Sequence, residues 1–232
     1  MQSGFVTRLC TLLSEDGQTA LLRLYAMPLA VDLPRNSVRQ DAHFHALELL
    51  SAALARDWGL SHCRLERDAN GKPRLVHPCL FVNLTHCKGL AVCAVANTTV
   101  GVDAETPRQV KERTIARVCS LQEQQMLAQS TMPAFDFSRL WTLKEAYAKC
   151  VGEGIRLPFK QLSFAYAAKT IRFTHPQADR HSFLQLLLAE NTAVPYAVAV
   201  CMQNLPASCR IITECICEIA YSDSLCLEWR AN

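Results

Sequence analysis

The sequence predicts an α+β fold, and three of its features carry that expectation. Half of its 232 residues are hydrophobic, which supports a sizeable core and excludes a disordered tail or linker. Short strand-like runs and longer amphipathic stretches fall in separate blocks, without the steady strand–helix alternation that a parallel sheet needs. Each half of the chain holds a helical stretch and several antiparallel-looking strands, so two lobes are expected, residues 1–98 and residues 99–232, the second holding the carboxylates described below.

The first lobe opens with a strand at residues 20–25 and a turn bounded by Pro28 and Pro34. Residues 41–58 read as a helix: Ala42, Ala46, Leu49, Leu50, Ala53 and Leu54 recur at three- and four-residue spacing, and Gly59 closes it. Asn70-Gly71 is a hairpin signal after the strand-like residues 63–67. Strand-like runs follow at 80–86, 90–96 and 98–105. The middle of the chain switches to helix at 107–120, 121–130 and 137–151, and strands return at 162–165, 171–174, 183–189 and 197–202.

Lys and Arg number 24 against 21 Asp and Glu, a net charge of +3, with no long basic run, so nucleic acid is not expected as a partner. No apolar stretch is long enough to span a membrane, and Arg8 and Glu15-Asp16 interrupt the N-terminal region too early for a signal-peptide core. A soluble, cytoplasmic protein is expected. The twelve cysteines are scattered, several inside apolar runs such as Leu90-Ala91-Val92-Cys93, where a reduced cysteine behaves as a small hydrophobe. Cys215 and Cys217 form a C-x-C without a second pair, which does not make a structural zinc site.

The chemistry begins at Gly101-Val102-Asp103-Ala104-Glu105. Side chains alternate along a strand, so Val102 and Ala104 point one way while Asp103 and Glu105 point the other, about 6–7 Å apart at Cα. Two carboxylates on one face of a buried strand call for a counter-charge. On their own they could equally mark a strand end in solvent. The segment 141–149, Trp-Thr-Leu-Lys-Glu-Ala-Tyr-Ala-Lys, shifts the balance. On a helix, Leu140, Leu143, Tyr147 and Cys150 form the core stripe, while Trp141, Glu145 and Lys149 share another face. Glu145 and Lys149 could form an ordinary helix ion pair, or Glu145 could supply a third carboxylate while Lys149 meets a phosphate. Upstream, Asn70-Gly71-Lys72-Pro73-Arg74 and Asn83-Leu84-Thr85-His86 add basic and hydrogen-bonding groups.

Gly71-Lys72-Pro73, Asn83-Leu84-Thr85-His86, the G-V-D-x-E strand and W-T-L-K-E-A-x-x-K, in this order, resemble the Sfp-type 4′-phosphopantetheinyl transferases over residues 39–157. The pairing of the last two motifs some forty residues apart is the specific signal. The resemblance implies a pseudo-dimer of two similar α+β lobes with the active site between them. The implied reaction transfers the phosphopantetheine arm of coenzyme A to a serine of an apo acyl or peptidyl carrier protein, with magnesium, releasing adenosine 3′,5′-bisphosphate. It further implies Asp103, Glu105 and Glu145 as magnesium carboxylates and Glu145 as base for the serine. Lys149 would contact the coenzyme A pyrophosphate, Thr85 and His86 its phosphates, and Lys72 and Arg39 its nucleotide end. Thr85 stands where many relatives have serine, and His45 where they often have a small hydroxyl residue. A chain holding both sides of its own site is expected to act as a monomer. Two other activities compete: a magnesium-dependent phosphodiesterase or nucleotide hydrolase using the same carboxylates, and a non-catalytic carrier-binding module.

Overall fold

The computed structural model describes residues 6–29, 35–68, 71–188, 195–213, 217–222 and 226–231. The first half builds β1 (Thr7–Ser14), β2 (Ala20–Pro28), α1 (Arg35–Trp58), the short strands β3 (Leu65–Arg67) and β4 (Pro73–Leu75), then β5 (Phe81–Cys87) and β6 (Leu90–Ala96). The second half runs through β7 (Val100–Glu105), α2 (Glu112–Val118), α3 (Leu121–Gln129) and α4 (Pro133–Val151). The strands β8 (Ser163–Ala167), β9 (Thr170–Thr174), β10 (His181–Leu188) and β11 (Tyr196–Gln203) follow, and β12 (Ser208–Thr213), β13 (Cys217–Ser222) and β14 (Cys226–Ala231) end the described chain.

Two six-stranded sheets result, in the orders β14-β12-β1-β2-β6-β5 and β7-β11-β10-β13-β9-β8. The period-2 pattern of the strands explains how they stack. Leu22, Leu24, Val92 and Ala94 of the first sheet meet Val100, Val102, Leu186, Val198 and Val200 of the second in one central core. The alternate residues face outward: Tyr25, Cys93 and Val95 under Ala46, Leu49, Leu50 and Ala53 of α1, and Phe183, Ala199 and Cys201 under Leu140, Leu143 and Tyr147 of α4. The layers therefore run α1, sheet, sheet, α4, which is the α+β architecture of two similar lobes. No helix among the described residues is long and apolar enough to cross a membrane.

Several boundaries differ from expectation for identifiable reasons. Helix α2 begins at Glu112 rather than at residue 107, because Pro107 and the extended Lys111 before it hold the chain off the helix. Helix α4 begins four residues early, with Pro133 in its first turn, where a proline is tolerated. The hairpin expected around Asn70-Gly71 is formed by β3 and β4; Asn70 itself lies outside the described residues. Strand β1, which the expectation omitted, pairs with β2 around a tight turn containing Gly17 at φ 74°. The pairing is also not wholly antiparallel, since β12 with β14 and β13 with β9 are parallel. Most consequentially, β12 pairs with β1, so the tail returns to the first sheet. A division at residue 98 falls in the turn between β6 and β7 but leaves two strands of the first sheet on its far side.

Candidate active site

Glycine at position 101 determines how closely α4 lies on β7. A Cβ there would stand 2.1 Å from the Ala146 carbonyl oxygen and 2.4 Å from the Cys150 amide nitrogen, so the strand and the helix are in backbone contact. Asp103, two residues along on the same face, is thereby brought under the last turns of α4. Lys149 Nζ donates to Asp103 Oδ1 at 2.7 Å, to the Val102 carbonyl at 3.0 Å and to Thr85 Oγ1 at 3.2 Å. Thr85 in turn donates to Asp103 Oδ1 at 3.0 Å. Lys149 thus forms its ion pair with the strand rather than with Glu145 on its own helix.

The seam between the lobes is closed by side chains where two sheet edges meet. The Val102 N–H, an edge-strand donor, finds Asn83 Oδ1 of β5 at 2.8 Å. Lys72, from the β3–β4 hairpin, donates to the Lys149 carbonyl at 2.6 Å and the Val100 carbonyl at 3.2 Å, meeting the C-terminal carbonyls of α4 with a cation. Burial holds the Lys72 ammonium below its ordinary pKa. Gly152, left-handed at φ 79°, ends the helix there.

Glu105 and Glu145 both lie near enough to Asp103 to feel its charge. Burial pushes Glu145 above the usual carboxylate range, and the Asp103 charge pushes it further against the offset of Lys149. Glu105 is raised by burial as well, with Arg108 opposing; Arg108 Nη2 lies 3.8 Å from Glu105 and its guanidinium 5.2 Å over the Trp141 ring. Among the described residues no three His, Cys, Asp or Glu side chains already close around one point. The donor set nonetheless suits a hard divalent cation: three carboxylates, one of which, Asp103, is 6% exposed with an Oδ2 that has no hydrogen-bond partner among the described residues.

Beside this group lies a cavity of about 380 Å³ lined by Lys72, Asn83, Lys149, Glu153 and Arg156, among others. Three of these carry positive charge against one negative, a wall suited to phosphates. The structure therefore gathers Asp103, Glu105, Glu145, Lys149, Thr85 and Lys72. His86 is exposed near the end of β5 and alternates to the α1 side of that strand. Arg39 lies on α1, its side chain outside the described residues. His45 bonds to Glu48 at 2.8 Å.

Two elements of the site escaped the sequence reading. Arg156 follows the glycine-rich end of α4, and only the fold brings it to the cavity. Lys144, adjacent to Glu145, is fully buried: its Nζ reaches Glu123 at 2.8 Å, the Phe159 carbonyl at 2.9 Å and the Leu162 carbonyl. Glu123 is itself held by the Ser120 capping box and accepts from the Phe164 N–H at 2.9 Å. The spacing Ser120-x-x-Glu123 was the available signal, pointing to a cap but not to its partner.

Residues 99–201, which hold β7, α4 and β11, match the family model of the 4′-phosphopantetheinyl transferase superfamily. Over 149 residues the chain is 34% identical to the 4′-phosphopantetheinyl transferase HetI of Nostoc sp., covering 59% of this chain and 60% of that protein. Over 132 residues it is 28% identical to the 4′-phosphopantetheinyl transferase Sfp of Bacillus subtilis, covering 54% and 59%. The chain thus spans about three fifths of the length of these relatives. A holo-[acyl-carrier-protein] synthase crystal structure from Neisseria meningitidis aligns over 45% of this chain and 98% of its own, at 19% identity and a TM-score of 0.35. The family model and the two transferases agree with the resemblance carried by the motifs.

Proposed function

We propose that this chain is a 4′-phosphopantetheinyl transferase of the superfamily that its residues 99–201 match, moving the phosphopantetheine arm of coenzyme A to a serine hydroxyl of an apo acyl or peptidyl carrier protein and leaving adenosine 3′,5′-bisphosphate. The observation that supports this reading is Lys149, which pairs with Asp103 of β7 and lines a basic cavity of about 380 Å³ one helical turn from Glu145. Lys72, Lys149 and Arg156 line the wall that would take the anionic part of coenzyme A, and Thr85 holds Asp103 and Lys149 in place beneath it. His86 and Arg39 remain candidate contacts for the phosphates and the nucleotide end. Lys149 is held by three oxygens before substrate arrives, so its charge stands fixed beside the cavity, and a direct bond to phosphate would replace one of the three. Glu145 takes the proton from the serine oxygen; its burial beside other carboxylates raises its basicity toward that task.

Asp103, Glu105 and Glu145 would hold a magnesium ion, which when bound supplies charge neutralisation for the phosphate oxygens. Both walls of the cavity come from one chain, which supports action as a monomer. Nine cysteines of the described residues are free thiols, two of them exposed, as suits a reducing cytoplasm. The test is to incubate the protein with coenzyme A and magnesium, with and without a panel of apo carriers, and to weigh the carriers. A transferase adds the arm's mass to at least one carrier. Cleavage of coenzyme A in the absence of any carrier would instead mark a hydrolase, and carrier binding without a mass change would mark a docking module.

A further inference from the structure

Cys150 and Cys201 are both buried, at 3% and 0% exposure, and neither has a part in the transfer chemistry. Cys201 on β11 stands opposite Gly101 in the strand register. The absent side chain of Gly101 is what lets the Cys150 backbone descend onto that same point, its Cα only 3.0 Å from where a glycine Cβ would be. Both side chains belong to one core cluster, and Cys150 Sγ donates to the Thr99 carbonyl at 3.5 Å. Cys150 lines a second cavity of about 240 Å³ together with Lys72, Thr99, Val100 and Gly152, so a route to one member of the pair begins there, while Cys201 lies outside that lining. Lys72 places a positive charge beside both sulfurs.

From this placement we infer that Cys150 and Cys201 form a dithiol modification site that a small disulfide of the glutathione class converts to an internal disulfide, lowering transfer reversibly. The inference rests on the transferase reading only for its activity readout. The steps balance as two exchanges. The Cys150 thiolate attacks the small disulfide and expels one thiol. The Cys201 thiolate then attacks Cys150 Sγ and expels the second. Two protein thiols are oxidised, and one external disulfide is reduced to two thiols, which take up the two protons. Burial raises the Cys201 thiol well above its ordinary pKa, which makes the second exchange the slow one. Joining the sulfurs fixes them about 2.05 Å apart. The helix has no slack to absorb this, since it already touches the β7 backbone at Gly101. The last turn of α4 must move, carrying Lys149 and the carbonyl that holds Lys72.

The test titrates the whole protein with oxidised against reduced glutathione, quenches by alkylation, maps the peptides and measures transfer and coenzyme A binding on the same samples. The expected result is a Cys150–Cys201 peptide with the loss of two hydrogen masses, a fall in transfer of about tenfold or more, and recovery with dithiothreitol. Cys201→Ala should keep its reduced-state transfer and lose the reversible inhibition. A map without that linkage, a linked protein with full activity, or a Cys201→Ala protein inhibited to the same degree would overturn the inference. The peptide map and the binding measurement need no carrier. A reduced protein that never modifies a carrier therefore counts against the transferase reading and leaves the linkage result standing by itself.

Discussion

Asp103 does two jobs with two oxygens. One is committed to Lys149 and Thr85, and the other faces inward with no hydrogen-bond partner among the described residues. Asp103→Ala removes both at once and takes the ion pair from Lys149, but that side chain is 27% exposed and keeps the Val102 carbonyl, so the fold should survive while the chemistry does not. Transfer should fall by about 10²-fold or more with the far-UV circular dichroism unchanged. Glu145→Gln separates base from ligand, because the amide keeps one coordinating oxygen but cannot accept the serine proton. Its turnover should fall by about 10²–10⁴ and stay low across a magnesium titration; recovery at high magnesium would assign Glu145 to metal binding alone. Much of this was legible beforehand. Strand alternation put Asp103 and Glu105 on one face, and helical spacing put Trp141, Glu145 and Lys149 on another, all three half-buried in the structure. The partner of Lys149 was not legible, because the i, i+4 glutamate and the aspartate across the interface are equally good partners until the helix is docked.

The joint between β7 and α4 is where the site is made, and it depends on a missing side chain. Gly101→Ala would place a methyl against the backbone of α4, not against a flexible side chain, so the helix itself must lift. The expected cost is about 1–3 kcal/mol or more in a urea titration, accompanied by loss of transfer as Lys149 leaves Asp103. A variant with wild-type stability and turnover would show that the contact is not what holds the site. Lys144 anchors the same helix from its other side. Lys144→Met strands Glu123 as a buried charge and should cost about 3–5 kcal/mol, whereas the double variant Lys144→Met with Glu123→Gln should recover part of that loss. At this scale the hydrophobic stripe of α4 was readable, since Leu140, Leu143, Tyr147 and Cys150 are all buried. The depth of Lys144 was not, because a lysine beside a glutamate on a helix ordinarily reads as a solvated pair.

At the scale of the whole molecule, the two lobes share more than a site. The central core joins inward faces of both sheets, and β12 and β14 cross back to complete the first of them. A fragment of residues 1–98 would therefore expose Leu22, Leu24, Val92 and Ala94 and lack two of its six strands. We expect it to show no cooperative unfolding transition, while the full chain unfolds in one; a fragment that melts cooperatively would contradict this. The return of the tail was illegible because strand identity depends on alternation within a segment, whereas strand neighbours depend on which edge lies open after the rest has folded. The proposed transfer of the phosphopantetheine arm depends on the carboxylates at this seam. It is tested most directly by weighing one apo carrier after incubation with coenzyme A, magnesium and either the native protein or Asp103→Ala. The native protein should add the arm and the equally folded variant should not. A carrier left unmodified by the native protein, or modified as fast by the variant, would contradict it.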